Sequence, residues 1–340
     1  MRDATSQTRT RAMLVTALGS EIVAALGDPA VVEIMINPDG RLWVERHGSG
    51  RAESGAMTSA DSERVIRLVA SHVGRRADVG SPIVSAELPM GGERFEGVWP
   101  PVSPGPCFSI RKPAGRVIAL DAYVASGVMA AHHAEALRRA VLDRENILVV
   151  GGTGSGKTTL ANALLAEIAR TGDRLVILED TRELVSAARD AVQLRTQPGS
   201  VTLADLVRST LRLRPDRIII GEVRGAEALD MLKAWNTGHP GGIATLHANS
   251  AHGGLSRLEQ LIGETSAQVP HDLIAETIDC VVYISRRAGM HRVETVARMN
   301  GLGRQGYDLV PVQPDLQLVL PSLPFSEPLL STAPERIHPK

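Results

Sequence analysis

The chain has 340 residues, with 37 Lys and Arg against 38 Asp and Glu, a formal net charge of -1. At roughly 150 residues per domain, that length predicts two domains with ample core. Near-neutral charge and scarce aromatics (three Trp, three Tyr, three Phe) weigh against a protein that gathers phosphate backbones or stacks single-stranded bases. Cys107 and Cys280 are too far apart in sequence for a disulfide framework or a zinc ribbon, and suit a reducing cytosol. No apolar run is read as approaching the roughly 18–20 residues that cross a bilayer, and the opening "MRDATSQTRT" lacks the apolar stretch of a secretory signal. A soluble cytoplasmic protein is expected, one able to dock on a membrane machine.

Residues 1–10 are expected to be flexible. Arg11 to Leu26 then has apolar residues at helical spacing. "VVEIMINPDGRLWVERHG" reads as two strands around a turn at Asn37–Gly40. Thr58 opens a helix with apolar positions Val65, Leu68, Val69 and Val73, and "SPIVSAEL", "ERFEGVWPPV" and "CFSIRKP" are extended. Together 11–113 form a small α+β N-terminal domain, and 114–125 reads as a linker.

From 126 to 310 the pattern is strand, turn, helix, repeated. The strands "NILVV", "RLVILED", "RIIIGE" and "GIATLH" are short apolar runs without alternation, as in a sheet covered by helices on both faces. "KTTLANALLAEIAR", "TLADLVRSTLRLR" and "AEALDMLKAW" are the helices between them. The fold class is α/β: a RecA-like phosphate-loop domain with a mostly parallel sheet, preceded by the smaller α+β domain. The proline-rich 311–340 is expected to be a flexible tail that grips a partner.

The chemistry starts at "GGTGSGKTT", between the strand "NILVV" and a helix. Gly151-x4-Gly156-Lys157-Thr158 is the phosphate-loop pattern in its confirming context. Gly152, Thr153, Gly154, Ser155, Gly156, Lys157, Thr158 and Thr159 are the expected ATP-binding residues. Their backbone N–H groups and the helix N-terminus face the β-phosphate. Lys157 reaches the β- and γ-phosphates, and the Thr158 hydroxyl holds Mg²⁺.

Two further strand ends carry carboxylates. "RIIIGEVRG" ends in Glu222, near the phosphates if its strand lies beside the loop strand. An Asp-Glu pair is usual there, but the first position is Gly221, so Glu222 remains as the base for the attacking water. A plainer role for it is a surface Glu capping the next helix. "ILEDTREL" gives Glu179, Asp180 and Glu183 at the sheet's ligand-binding edge. Glu179 is expected to hold the Mg²⁺ water shell, or to be a second candidate for the base; Asp180 and Thr181 divide between catalysis and a helix cap.

"TGHPGGIATLHANSA" adds His239 and His247. No cysteine and no His-Glu-x-x-His spacing lies near, which disfavours zinc. His247 emerges at the same edge as Glu222. One histidine, unless it is a buried core residue, would therefore report on the γ-phosphate as a switch.

In this order, the phosphate loop, "LEDTREL", "GEVRG" and the histidine block resemble the secretion or traffic ATPases of type II and type IV machines. "INPDGRLWVE", "FSIRKP", "LRLRPDRIIIGEVRG" and "LKAWNTGHPGGIATLHANSA" are more narrowly similar to Trb-type conjugative transfer ATPases, over roughly 20–310. In that family Gly-Glu in place of Asp-Glu is normal. The resemblance implies ATP and Mg²⁺ as cofactors and a homo-hexamer at the cytoplasmic base of a conjugation channel, peripheral at the inner membrane. It further implies type IV secretion components as partners and hydrolysis that moves one domain against the other. It also implies N-terminal arginines that complete the nucleotide site, matched here by Arg94 and Arg111. An arginine on the transferring phosphate is worth roughly 10³–10⁵ in rate. Arg224 is a further candidate, on the phosphates or paired with an acidic-box carboxylate. If the arginines act in trans, an isolated subunit has an incomplete site. A tetracysteine zinc module and the C-terminal motif of retraction motors are absent, which favours the conjugative branch. The competing readings are a nucleotide-gated scaffold with little turnover and a DNA-translocating motor, the latter disfavoured by charge and aromatics.

Overall fold

The computed structural model describes residues 4–113, 117–197, 199–304 and 306–314. Most of the expected tail, 315–340, therefore lies outside the described residues.

The N-terminal unit runs α1 (Ala4–Gly27), β1 (Val31–Ile36), β2 (Arg41–Arg46), β3 (Gly50–Ala56), α2 (Ser59–His72), β4 (Ile83–Glu87), β5 (Arg94–Val98) and β6 (Cys107–Arg111). Its six strands form an antiparallel sheet in the order β3-β2-β1-β6-β5-β4. α1 and α2 pack on it through Leu14, Leu18, Ile22, Val65, Ile66 and Val69, against Ile34, Phe95 and Ile110. Thr58 caps α2 by accepting the Asp61 N–H at 3.1 Å. The Asn37–Gly40 turn closes with Gly40 N–H donating to Asn37 O at 2.9 Å. β3 has no counterpart in the sequence pattern, because "GRAESGA" lies mostly exposed at the sheet edge and buries no apolar side chain.

Two expectations for this unit need correction. Residues 4–10 belong to α1 rather than to a flexible arm. By length and composition alone, Thr8–Gly27 is also a 20-residue stretch apolar enough to cross a membrane. Its helix breaks at Gly19, at a positive φ of 75°, and Leu14, Ala17, Leu18, Ile22 and Ala25 are buried in the N-terminal core.

The C-terminal unit contains α3 (Leu120–Ala125), α4 (Ala131–Leu142), β7 (Ile147–Gly151), α5 (Lys157–Ile168), β8 (Leu175–Glu179), β9 (Ala191–Arg195), α6 (Leu203–Thr210), β10 (Arg217–Ile220), α7 (Glu227–Asn236), β11 (Ile243–His247), α8 (Ala251–Gly263), α9 (His271–Thr277), β12 (Cys280–Arg287), β13 (Met290–Gly303) and β14 (Gly306–Pro311). The sheet order is β14-β13-β12-β7-β11-β10-β8-β9. The strands from β9 to β12 in that order are parallel, and β13 and β14 are antiparallel additions at one edge. Every residue of β7, β8 and β10 is buried, which accounts for their unbroken apolar runs. Odd and even positions feed two cores. Leu148, Leu178 and Ile220 face α6, α7 and α8, while Val149, Ile177 and Ile219 face α4 and α5.

The expected linker is shorter than 114–125. α3 lies inside that span, and its Leu120 and Tyr123 are buried in the C-terminal core. β10 is not the neighbour of β7, since β11 sits between them. That order brings His247, rather than Glu222, alongside the strand that feeds the phosphate loop.

Candidate active site

The phosphate loop lies between β7 and α5, and its shape depends on glycine. Gly154 and Gly156 have φ of 68° and 98°, in the left-handed region that side chains avoid. A Cβ at Gly151 would stand 2.3 Å from Ile284 O and 2.4 Å from Ser155 Oγ, so β12 and the loop itself exclude any side chain there. The loop lines a cleft of ≈ 710 Å³ shared with the N-terminal unit, whose Arg94 and Arg111 form part of its wall.

Four predicted residues touch in sequence. Lys157, 7% exposed, donates to Gly152 O at 3.1 Å and lies 3.3 Å from His247 Nδ1. His247 Nε2 is 2.5 Å from Glu222 Oε1. Arg224 donates from Nε to Glu222 Oε2 at 2.9 Å and pairs with it again through Nη2. A neutral imidazole accepts from Lys157 at Nδ1, while Glu222 Oε1, close to His247 Nε2, is buried without a hydrogen-bond partner. Burial, together with the Lys157 charge, lowers the His247 pKa and favours that neutral form. Burial brings Lys157 down to about 8. Burial also works to lower Arg224, but the Glu222 carboxylate outweighs it and holds Arg224 above its ordinary value.

The acidic box meets the loop helix from the other side. Glu179, 2% exposed, accepts the backbone N–H groups of Glu183 and Leu184 at Oε1, both at 2.8 Å. Its Oε2 is buried without a hydrogen-bond partner. Burial pushes this carboxyl up to about 7 against the pull of those two N–H groups. A Cβ at Gly221 would lie 2.9 Å from Glu179 Cγ. This is the physical reason for glycine ahead of Glu222: the Glu179 side chain from β8 fills the space that an Asp on β10 would need. Thr158 donates to Glu183 Oε2 at 3.2 Å, and Arg94 approaches Glu183 at 3.9 Å.

Arg111 also faces the cleft. Among the described residues its side chain makes no hydrogen bond or ion pair, yet its charge helps lower both Lys157 and His247. Arg94 and Arg111 both line the cleft of their own chain.

Glu222 does not cap α7, whose N-terminus has no side-chain cap; Glu227 accepts the N–H groups of Arg224 and Gly225, ahead of the helix, at 2.5 and 2.9 Å. No helix follows Asp180 and Thr181 for them to cap, and Asp180 instead accepts from Thr196 Oγ1 at 3.0 Å and lies 3.8 Å from Arg224. His239 precedes β11 at the opposite edge of the sheet, against Pro215 O at 3.0 Å.

Three contributors carry no signal in the sequence. The β12–β13 hairpin folds over the loop, with His291 Nδ1 donating to Ser155 O at 2.9 Å. Arg286 from the same hairpin reaches Glu45 of the N-terminal unit at 3.4 Å. Asn162, fully buried one turn into α5, donates to Glu183 O at 3.3 Å and accepts from Val185 N–H at 2.8 Å, fixing the acidic box against the loop helix. No motif marks these residues, since each acts through a fold-back that leaves no local spacing.

For Mg²⁺ the donor set fits. No group of three or more His, Cys, Asp or Glu gathers as a protein cage among the described residues. A hydroxyl at Thr158 and an orphaned buried carboxylate oxygen at Glu179 suit an ion that keeps water and phosphate oxygens in its shell.

The sequence pattern of the family described as "Type II/IV secretion system protein" matches residues 19–304. This chain belongs to that family. It is 53% identical to "Conjugal transfer protein TrbB" of Rhizobium radiobacter over 296 residues, 86% of this chain and 91% of the relative. It is 38% identical to the "Type IV secretion system protein PtlH homolog" of Bordetella bronchiseptica, over 76% of this chain and 86% of the relative. The structure titled "Crystal Structure of the Pilus Retraction Motor PilT and Bound ADP" shares the fold, with a TM-score of 0.61 and 20% identity over 87% of this chain and 83% of that one. The resemblance to Trb-type conjugative transfer proteins therefore holds within the secretion-system family, as does the expected fold class.

Proposed function

We propose that this chain is an ATPase that energises a conjugative type IV secretion system, as a hexamer peripheral to the cytoplasmic face of the inner membrane. The observation that carries the enzymatic reading is the contact series Lys157–His247–Glu222–Arg224 at the mouth of a phosphate loop, with Arg111 unengaged beside it. A phosphate-binding lysine joined through one imidazole to a carboxylate supports turnover. A scaffold that only binds nucleotide needs no such link. The conjugative role and the hexamer rest on the names of the relatives and on the family resemblance.

In this reading the loop N–H groups and Lys157 hold the β- and γ-phosphates, while Arg111 and Arg94 approach from the N-terminal unit. Glu222 releases one of its two partners, orients a water in line with the γ-phosphorus and accepts its proton. The bond from the bridging oxygen to the γ-phosphorus breaks, leaving ADP and inorganic phosphate. Thr158 and Glu179 would hold Mg²⁺, which when bound neutralises phosphate charge. Glu179, occupying the space that Gly221 leaves, is assigned to that shell rather than to the base. His247 transmits phosphate contact from Lys157 to Glu222.

The test is Mg²⁺-dependent ATP turnover alongside nucleotide binding. Lys157→Ala should lose both. Glu222→Gln should bind ATP with wild-type affinity and lose about 10²–10⁴ in turnover. Full turnover in Glu222→Gln would return the base to Glu179. Turnover absent from every assembled form of the wild type would leave the gate reading.

A further inference from the structure

A glycine loop that offers its N–H groups to an anion has to keep its peptide planes from turning over. The freedom that lets Gly154 and Gly156 take φ of 68° and 98° also lets the peptides beside them flip. Two of the loop's carbonyls are held within the loop and its helix. Gly152 O accepts the Ser155 N–H at 3.3 Å as well as Lys157, and Gly156 O accepts the Leu160 N–H of α5 at 2.9 Å. Ser155 O is held from outside, by His291 Nδ1 at 2.9 Å. The Ser155 side chain adds no hydrogen bond to that hold, since its hydroxyl is buried without a partner.

The hairpin that supplies His291 is built to one register. β12 and β13 are joined by Ala288 and Gly289 alone, with φ of 49° and 83°, both positive as a two-residue hairpin loop requires. In that register Arg286 stands directly opposite His291. Opposed residues share a face of a ladder, as do residues two apart on one strand, so Ile284, Arg286 and His291 stand together. Their face lies on the loop. A Cβ at Gly156 would be 3.4 Å from both Ile284 Cδ1 and His291 Nδ1, and one at Gly154 would be 3.8 Å from Arg286 Nη1. Arg286 also reaches Glu45 of the N-terminal unit at 3.4 Å.

We propose that His291 is a positioning residue for the nucleotide: by holding Ser155 O it keeps the Gly156 N–H turned to the β-phosphate, and Arg286 makes that hold depend on the N-terminal unit through Glu45. The peptide between Ser155 and Gly156 is planar and trans, so its C=O and N–H point opposite ways. A donor fixed on the carbonyl therefore aims the N–H away from the hairpin and into the loop, where phosphate needs it. Nδ1 carries the proton in this contact, because a carbonyl only accepts. The inference rests on the ATPase reading above and extends it to a residue outside every nucleotide motif.

The experiment is calorimetric titration of the full chain with ADP, beside steady-state ATP turnover. His291→Ala and His291→Phe both lack the donor. Each should weaken ADP about tenfold and raise KM for ATP alike, with kcat little changed. His291→Asn, whose amide N–H can stand in for Nδ1, should restore most of the loss. Glu45→Gln separates a tie from a charge effect by sign. Removing an anion from the cleft wall would by itself tighten ADP, whereas a loosened hairpin weakens it about threefold. In a His291→Ala background, Glu45→Gln should no longer weaken ADP. Wild-type affinity in His291→Ala, or no rescue by Asn, would overturn the positioning role. Unchanged or tighter ADP binding in Glu45→Gln, or a full further loss in the double variant, would overturn the tie. Lys157→Ala is the control: if it too binds ADP as wild type does, the nucleotide reading itself fails, and if it alone loses ADP, only the role of His291 fails.

Discussion

At the scale of single residues, the site is governed by how burial shifts charge. Lys157 has its pKa lowered to about 8 by burial. The cost of keeping it charged is therefore fully present below pH 8 and disappears as pH rises towards the unfolded value. Binding a polyphosphate reverses the shift, because the anion stabilises the ammonium. ATP affinity should hold steady below pH 8 and fall about tenfold per pH unit above it. Calorimetric titration with ATP from pH 7 to 9.5 would show this, and an affinity flat through that window would mean that Lys157 does not hold the phosphates. That Lys157, Glu222, Glu179 and His247 gather at one cleft was legible beforehand, from strand ends and a glycine loop. The contact of Lys157 with His247 was not, because it depends on β11 rather than β10 lying beside β7.

At the scale of elements, β8 and β10 constrain one another through Glu179 and Gly221. Replacing Gly221 by Ala puts a methyl group 2.9 Å from Glu179 Cγ, in a side chain held by two backbone N–H groups. That overpacking should cost about 1–3 kcal/mol in unfolding free energy. The cost should shrink in a Glu179→Ala background, as a double-mutant cycle by denaturant titration would read. Additive effects would mean that the two strands do not share this space. Sequence alone presents Gly221 as a missing carboxylate; only the register of Ile220 with Leu178 shows what stands in its place. The missed elements have the same kind of cause. β3 and β9 lie at sheet edges and lack unbroken buried runs, so no hydrophobic pattern announces them. α3 was hidden by its shortness, although Leu120 and Tyr123 anchor it in the core.

At the scale of the whole molecule, three ion pairs among the described residues join the two units. Arg286 meets Glu45 at 3.4 Å, Arg94 meets Glu183 at 3.9 Å, and Arg195 pairs with Glu87. All are partly exposed, so each is worth only about 0–1 kcal/mol. The arrangement therefore suits units that part and rejoin. Replacing Glu45 and Glu87 together by Gln should widen the separation between labels on the two units, measured by energy transfer, while leaving each unit's melting unchanged. An unchanged separation would show that apolar contact, not charge, sets the arrangement. The change of pattern near 113–126 falls between the strands of the six-stranded sheet and those of the eight-stranded one. The pairing across the cleft was not legible, since Glu45 and Glu87 sit in strands with no distinguishing motif.

β11 separates the two histidines that share a sequence block. His247 is at the phosphate edge, and His239 is at the far edge against Pro215. Eight positions of chain thus carry one imidazole in the cleft and another set apart from it by the full depth of the sheet. The protein contains its own reference signal: in a histidine ring spectrum, movement of the His247 resonance with a fixed His239 reports occupancy of the cleft, and movement of both reports a change in the sheet itself.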